Sequence, residues 1–150
     1  MVDQYNLKRF VEAQDAIYNK CLSDFSAYKI AHNEIESGKK DEHWIWYIFP
    51  QYKGLVRNPS YNTEFFAIRS KDEALCYLEH TVLGKRLIEM SEMLLDKEES
   101  MFQIFRSDEK KVRSCLTLFE AIQSDITVFS LVLDQCFEGR RCDRTLNSIV

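Results

Sequence analysis

Apolar side chains recur three and four residues apart along most of this chain, and that spacing admits little except helix. From Leu7 they run Leu7, Phe10, Val11, Ile17, Cys21, then Leu22, Phe25, Tyr28 and Ile35. A period near 3.6 lines such residues along one side of an α-helix, whereas a strand would need strict alternation. The punctuation agrees. Only four glycines and two prolines occur in 150 residues, so long loops are few. An all-α fold is predicted: a single compact helical domain over residues 1–150, with about six or seven helices and one long irregular connection after the aromatic block. A chain of this length can bury a continuous core without disulfide or metal staples.

Local signals place the helix ends. Asn6 stands where it can cap a first helix, Gly38 with Lys39 and Lys40 makes a stop, and Ser23-Asp24 or Ser26 can divide the span between them. Ser70-Lys71-Asp72-Glu73 and Ser100-Met101-Phe102-Gln103 both fit a capping box. Thr81 is expected to open a helix striped with Leu83, Leu87, Met90 and Leu94. Ser107 or Asp108 is expected to open the next, and Asp125 the last long one, which stops near Gly139. Asp143 can cap a closing turn. Between Gln51 and Ile68, Gly54, Asn58-Pro59 and Asn62 read as the irregular connection.

Charge excludes some partners. Twenty basic and 24 acidic residues give a net charge of −4, which opposes a general nucleic-acid or anionic-membrane surface while leaving room for a local basic pocket. Met1-Val2-Asp3-Gln4-Tyr5 has neither the basic nor the apolar region of a secretory signal. No apolar run approaches the roughly 18 residues needed to cross a bilayer. Cys21, Cys76, Cys115, Cys136 and Cys142 are scattered, odd in number and without a Cys-x-x-Cys pair, a pattern suited to reduced thiols. A cytoplasmic location is expected. The sequence names no cofactor: it has no Gly-rich phosphate loop, no Gly-x-Ser-x-Gly elbow and no His-Glu-x-x-His. Its three histidines lack metal-ligand spacing, so no metal site is predicted.

The block His43-Trp44-Ile45-Trp46-Tyr47-Ile48-Phe49-Pro50-Gln51 concentrates both tryptophans. Such a block lines either a core or a ligand pocket. His43 is the candidate general acid or base, since imidazole titrates near neutrality. It equally suits a core histidine with one satisfied hydrogen bond. Gln51, just after a proline, has an amide for a ligand or for the backbone. His80 stands at a helix junction, where it can cap the preceding helix or face the same cavity. On the helix from Asp108, Val112, Cys115, Leu116, Phe119 and Ile122 make one apolar face, with Lys110, Ser114, Thr117 and Ala121 opposite. Two hydroxyls near a cation can hold a phosphate or carboxylate, or they can form a small-residue seam against another helix. The basic run Gly139-Arg140-Arg141-Cys142-Asp143-Arg144 reads more safely as structural, at a helix C-terminus.

Several of these pieces resemble a known family. They are Leu7-x-Arg9-Phe10-Val11-x-Ala13-Gln14, the block 43–55 as His-Trp-Ile-Trp-Tyr-Ile-Phe-Pro-Gln-x-x-Gly-Leu, and Phe66-Ala67-Ile68. They continue with Asp72-Glu73-Ala74, Tyr77-Leu78-x-His80-x-Val82-Leu83-Gly84-x-Arg86-Leu87, Lys111-x-Arg113-Ser114-x-x-Thr117-Leu118-Phe119 and Gly139-Arg140-Arg141-x-Asp143-x-Thr145-Leu146. The chain is similar to a family of small, mostly bacterial, mainly helical proteins of unknown function, sometimes labelled calpastatin, a name nothing here supports. The resemblance implies a helical single domain and supplies no activity. It draws weight to His43, Gln51, His80, Lys111, Ser114, Thr117, Arg140, Arg141 and Asp143 as members of a shared site or an internal polar network. The chain departs from the family in a longer stretch between Gln14 and Gly38, in Thr81 where proline is typical, and in Val56 and Arg106 where glycines are typical.

Two functional readings follow. In the first, the protein is a small enzyme or binding domain for an anionic, nucleotide-like small molecule. Trp44 or Trp46 walls the ligand, and Lys111, Ser114, Thr117 and Arg141 contact the anion. Gln51 orients the ligand, His80 faces the same cavity, and His43 is catalytic. In the second, it is a non-enzymatic protein-interaction module whose polar residues are structural.

Overall fold

A computed structural model of the chain describes residues 2–18 and 24–150; Met1, Asn19, Lys20, Cys21, Leu22 and Ser23 lie outside the described residues. Two predicted features, the apolar pair Cys21-Leu22 and the division at Ser23, therefore fall outside it. The described chain forms α1 (Lys8–Asp15), α2 (Ala27–Ser37), α3 (Ile45–Ile48), α4 (Tyr61–Phe65), α5 (Lys71–Glu79) and α6 (Leu83–Leu95). After these come α7 (Met101–Phe105), a 3₁₀ turn (Arg106–Asp108), α8 (Glu109–Ile122), α9 (Thr127–Cys136) and α10 (Asp143–Ser148). The fold is all-α, as the spacing implies.

Helices are more numerous than predicted because short ones occupy the connections. Ser60 caps α4 by accepting a hydrogen bond from the Thr63 amide at 3.2 Å, which places a helix inside the supposed irregular segment. The remaining irregular stretch is tied down where the Ile68 amide donates to the Gln51 carbonyl (2.8 Å) and the Lys53 amide to the Ile68 carbonyl (2.9 Å). Helix α3 ends just before Pro50, whose ring disfavours α conformation at Phe49.

Ser26, Ser70 and Ser100 cap their helices through their side chains, and at Ser100 both halves of the capping box are made. The other predicted caps are not: α10 starts at Asp143 itself, after Cys142 at its cap position, and Asp108 precedes α8 without a side-chain cap. At α1, Asp3 rather than Asn6 accepts from the amides of Leu7 (2.7 Å) and Lys8 (2.9 Å). Helix α6 is opened by His80 instead of Thr81, and α9 starts without a side-chain cap from Asp125.

Helix α8 runs through the middle, with Val112 and every residue from 114 to 119 buried. It packs on α5, α7, α9 and α10, while α6 lies against α2, α5 and α9. An aromatic seam knits these layers. Phe10 meets Tyr77 edge-on at 5.1 Å, Tyr77 touches Phe119 at 5.3 Å, and Phe119 touches Phe129 at 6.1 Å. None of the described helices is long and apolar enough to cross a membrane.

Candidate functional site

The residues predicted to share one pocket are distributed over several places. Trp44 has no exposed surface, and its indole N–H donates to Glu34 Oε1 at 2.8 Å. Phe105 packs edge-on against it. A ligand has no face of Trp44 to stack on, so this tryptophan is core. Glu34 explains why: its Oε1 also accepts from the amides of Asp41 and Glu42, closing the chain over the indole. His43 is exposed; its amide donates to the Tyr18 hydroxyl, and no described group hydrogen-bonds to its imidazole.

Trp46 and Gln51 do come together. They line a small pocket of about 50 Å³ with Tyr52, Leu55, Phe66 and Ala67, which is room for water and not for a nucleotide. Lys111 stands 5.9 Å from the Trp46 ring centre and pairs with Asp108 at 3.1 Å. Lys40 pairs with the other Asp108 oxygen, also at 3.1 Å, and lies over Trp44. Asp108 thus joins two lysines and, through them, fastens the aromatic block to the start of α8.

His80 serves a helix end. Its Nδ1 accepts from the amides of Val82 (3.1 Å) and Leu83 (3.2 Å), so the ring caps the helix that follows, while the His80 amide ends α5 by donating to the Cys76 carbonyl (2.9 Å). In the neutral ring the proton therefore resides on Nε2. His80 borders a separate cleft with Tyr5, Leu7, Val11 and Cys76.

Ser114, Thr117 and Arg141 meet in a polar seam between α8 and the C-terminal segment. Ser114 is hydrogen-bonded to Thr145 at 2.9 Å, with both residues buried. Thr117 Oγ1 donates to the Arg113 carbonyl (2.7 Å) and accepts from the Cys142 amide (3.0 Å). Arg141 pairs with Glu120 and with Asp134. Its hydrogen bonds hold the Glu120 carboxyl below the usual carboxylate range, with help from Ser130 and against the effect of burial. The expected anion contacts Ser114, Thr117 and Arg141 are thus engaged inside the protein.

Arg113, Thr117 and Glu120 fall at i, i+4 and i+7 on α8, a single stripe. Thr117 and Glu120 on that stripe anchor residues 141–142, and the anchored segment brings Arg140 and Arg144 beside Arg113. These arginines line one cleft of about 510 Å³ together with Arg141, Cys142 and Asp143. Among the described residues, Arg113, Arg140 and Arg144 have no carboxylate partner; Arg140 makes only a long 3.4 Å contact from Nε to the Phe137 carbonyl. Arg113 Nε is sealed from solvent and has no acceptor, a state that costs about 1–3 kcal/mol for a buried donor. The sequence draws attention to Arg140, Arg141 and Asp143 of the basic run, but not to Arg144 or to Arg113 on α8. The signal lay in which carboxylates would fold opposite each arginine, and that is a tertiary property.

Across residues 4–149 the sequence matches the family model described as "Protein of unknown function (DUF1810)". The chain belongs to this family. A search of curated proteins finds no match. Among solved structures, the crystal structure of the conserved hypothetical protein Rv1873 from Mycobacterium tuberculosis is similar in sequence and fold. It is 32% identical, with 98% of each chain covered and a TM-score of 0.86. The family carries no assigned activity, so function has to be argued from the geometry of this member. Among the described residues no group of three or more His, Cys, Asp and Glu side chains is placed to hold a metal ion.

Proposed function

We propose that this protein is a binding domain for a small anionic molecule, held in the arginine cleft between α8 and the C-terminal segment. The observation that carries this reading is the convergence of Arg113, Arg140 and Arg144 on one cleft without described carboxylate partners, in a chain whose net charge is −4. Three unneutralised guanidinium groups repel one another, and an oxyanion relieves that repulsion while accepting charge-assisted hydrogen bonds. The cleft is an open one, with Arg140, Asp143 and Arg144 exposed along it. Ser114, Thr117 and Arg141 act in this reading as the scaffold that holds the segment in place. His43 lines none of the clefts described above and has no orienting acid among the described residues, so the reading is one of binding without a role for His43.

Calorimetric titration with inorganic phosphate at low ionic strength tests it. Saturable binding is expected, weakened by Arg113→Ala and Arg144→Ala and untouched by His43→Ala. Phosphate at about 100 times its Kd should also add about 2.7 kcal/mol of stability. A wild-type protein that shows no saturable binding overturns the proposal.

A further inference from the structure

The arginine cleft also contains a carboxylate, and this narrows what fits. Resting on the anion-binding reading above, we infer that the cleft takes a phosphorylated polyol: a phosphate monoester whose carbon skeleton bears free hydroxyls. The phosphate engages Arg113, Arg140 and Arg144, and Asp143 accepts a hydrogen bond from a neighbouring hydroxyl.

Three features select this class. The first is donor number. A guanidinium offers five N–H donors and no acceptor, and the three arginines present a surplus of donors to the cleft. A carboxylate has two oxygens to share among them, whereas a phosphate monoester has three terminal oxygens, one for each fork. Arg113 Nε, buried without an acceptor, gains one when its side chain turns onto such an oxygen.

The second feature is Asp143 itself. It is exposed, lines the same cleft and has no described hydrogen-bond or ion-pair partner. An ionised carboxylate repels a ligand that is anionic throughout, but it accepts readily from a hydroxyl. A ligand that joins an anionic end to a hydroxyl-bearing end satisfies both halves of the cleft. An ammonium group would also suit Asp143, yet it would have to lie among the guanidinium groups of Arg140, Arg141 and Arg144, which oppose it.

The third feature is the lining. Arg113, Arg140, Arg141, Cys142, Asp143 and Arg144 include no aromatic ring. A nucleobase therefore gains no stacking there, and the two tryptophans lie elsewhere. A saccharide or other polyol needs hydrogen-bonding groups instead, and these are what the cleft offers.

The test compares phosphate monoesters on the intact protein by calorimetry. Glucose 6-phosphate should bind about tenfold or more tightly than methyl phosphate, the increment of one hydrogen bond to a charged group. Phosphoethanolamine, whose carbon skeleton bears no hydroxyl, should show no such advantage. In Asp143→Ala, methyl phosphate should bind at least as well as before, and the preference for glucose 6-phosphate should largely vanish. The same chemistry occurs in inositol phosphate headgroups. Sedimentation with vesicles containing a phosphatidylinositol phosphate separates a lipid source from a soluble one, and either is consistent with the class. Equal binding of glucose 6-phosphate and methyl phosphate in the wild-type protein, or stronger binding of phosphoethanolamine, overturns the inference while leaving anion binding intact. Absence of any Arg113-dependent phosphate binding removes the underlying reading as well.

Discussion

Arg9 and Glu73 meet at 2.8 Å with their side chains only 8% and 4% exposed. The guanidinium uses all five of its donors: Nε on the Phe65 carbonyl, one terminal nitrogen on Tyr5 and Asn6, the other on Ala67 and Glu73. The second Glu73 oxygen accepts from the Arg69 amide. One ion pair therefore joins the start of α1, the end of α4 and the first turn of α5. Removing one member leaves a buried charge and several carbonyls unpaired. Arg9→Ala is expected to cost about 3–5 kcal/mol in urea denaturation. Arg9→Lys keeps the charge but only three donors in a different geometry, and should recover part of the loss. A cost near zero for Arg9→Ala would show that the network contributes nothing net.

Two backbone positions should respond in opposite directions. At Gly84 a β-carbon would lie 2.0 Å from the Leu78 carbonyl oxygen and 2.8 Å from its carbon. The obstacle is backbone, so it cannot rotate away, and Gly84→Ala should lose about 3 kcal/mol or more by forcing α6 away from the end of α5. Arg106 has φ 54° and ψ −133°, a conformation that a β-carbon disfavours. Arg106→Gly should gain about 1 kcal/mol, a gain that exceeds the exposed cation–π contact to Phe102 at 5.7 Å. Melting temperatures of the two variants check both signs.

The contrast between these positions shows what a sequence of this kind exposes. Caps at Ser26, Ser70 and Ser100 are local chemistry, with the acceptor three residues from its donor, so they could be read directly. The apolar period was legible for the same reason. Ser114 and Thr117 were ambiguous because their partners, Thr145 and the Cys142 amide, lie 31 and 25 residues away. On a helix wheel a hydroxyl facing a seam and one facing a ligand are identical. Trp44 looked like a pocket wall for a similar reason: Glu34, which satisfies its indole, comes from the preceding helix. The candidate site depends on which arginines meet acids, and only the fold decides that.

Acid should weaken the C-terminal seam. Arg141 donates to Glu120 and depresses its pKa, and the amides of Lys8 and Leu7 similarly depress that of Asp3. A carboxyl whose folded pKa lies below its unfolded value of about 4 adds stability that is complete above that value and disappears as pH falls through the folded pKa. The melting temperature should therefore be flat from neutrality to about pH 5 and fall below about pH 4. Glu120→Gln should be less stable at neutral pH and less sensitive to acid. Because Glu120 and Arg141 are partly open to water, about 0.5 M salt should reduce the difference. An acid transition identical in Glu120→Gln and wild type would remove Glu120 from this account.

Thr117 and His43 separate scaffold from catalyst. Thr117→Val removes the acceptor for the Cys142 amide and the donor to the Arg113 carbonyl, so a stability loss of about 1–3 kcal/mol is expected. The same change frees the segment that carries Arg140 and Arg144. Phosphate affinity should therefore fall too, even well below the melting temperature, without any contact between Thr117 and the ligand. His43 is exposed and its ring has no described partner, so His43→Ala should change stability by no more than about 0.5 kcal/mol and leave phosphate affinity as it was. Calorimetry and denaturation on the two variants give four numbers. If His43→Ala lost affinity with stability unchanged, the histidine would be part of the site after all. If Thr117→Val lost stability but kept full affinity, the arginine cleft would not depend on the seam beneath it.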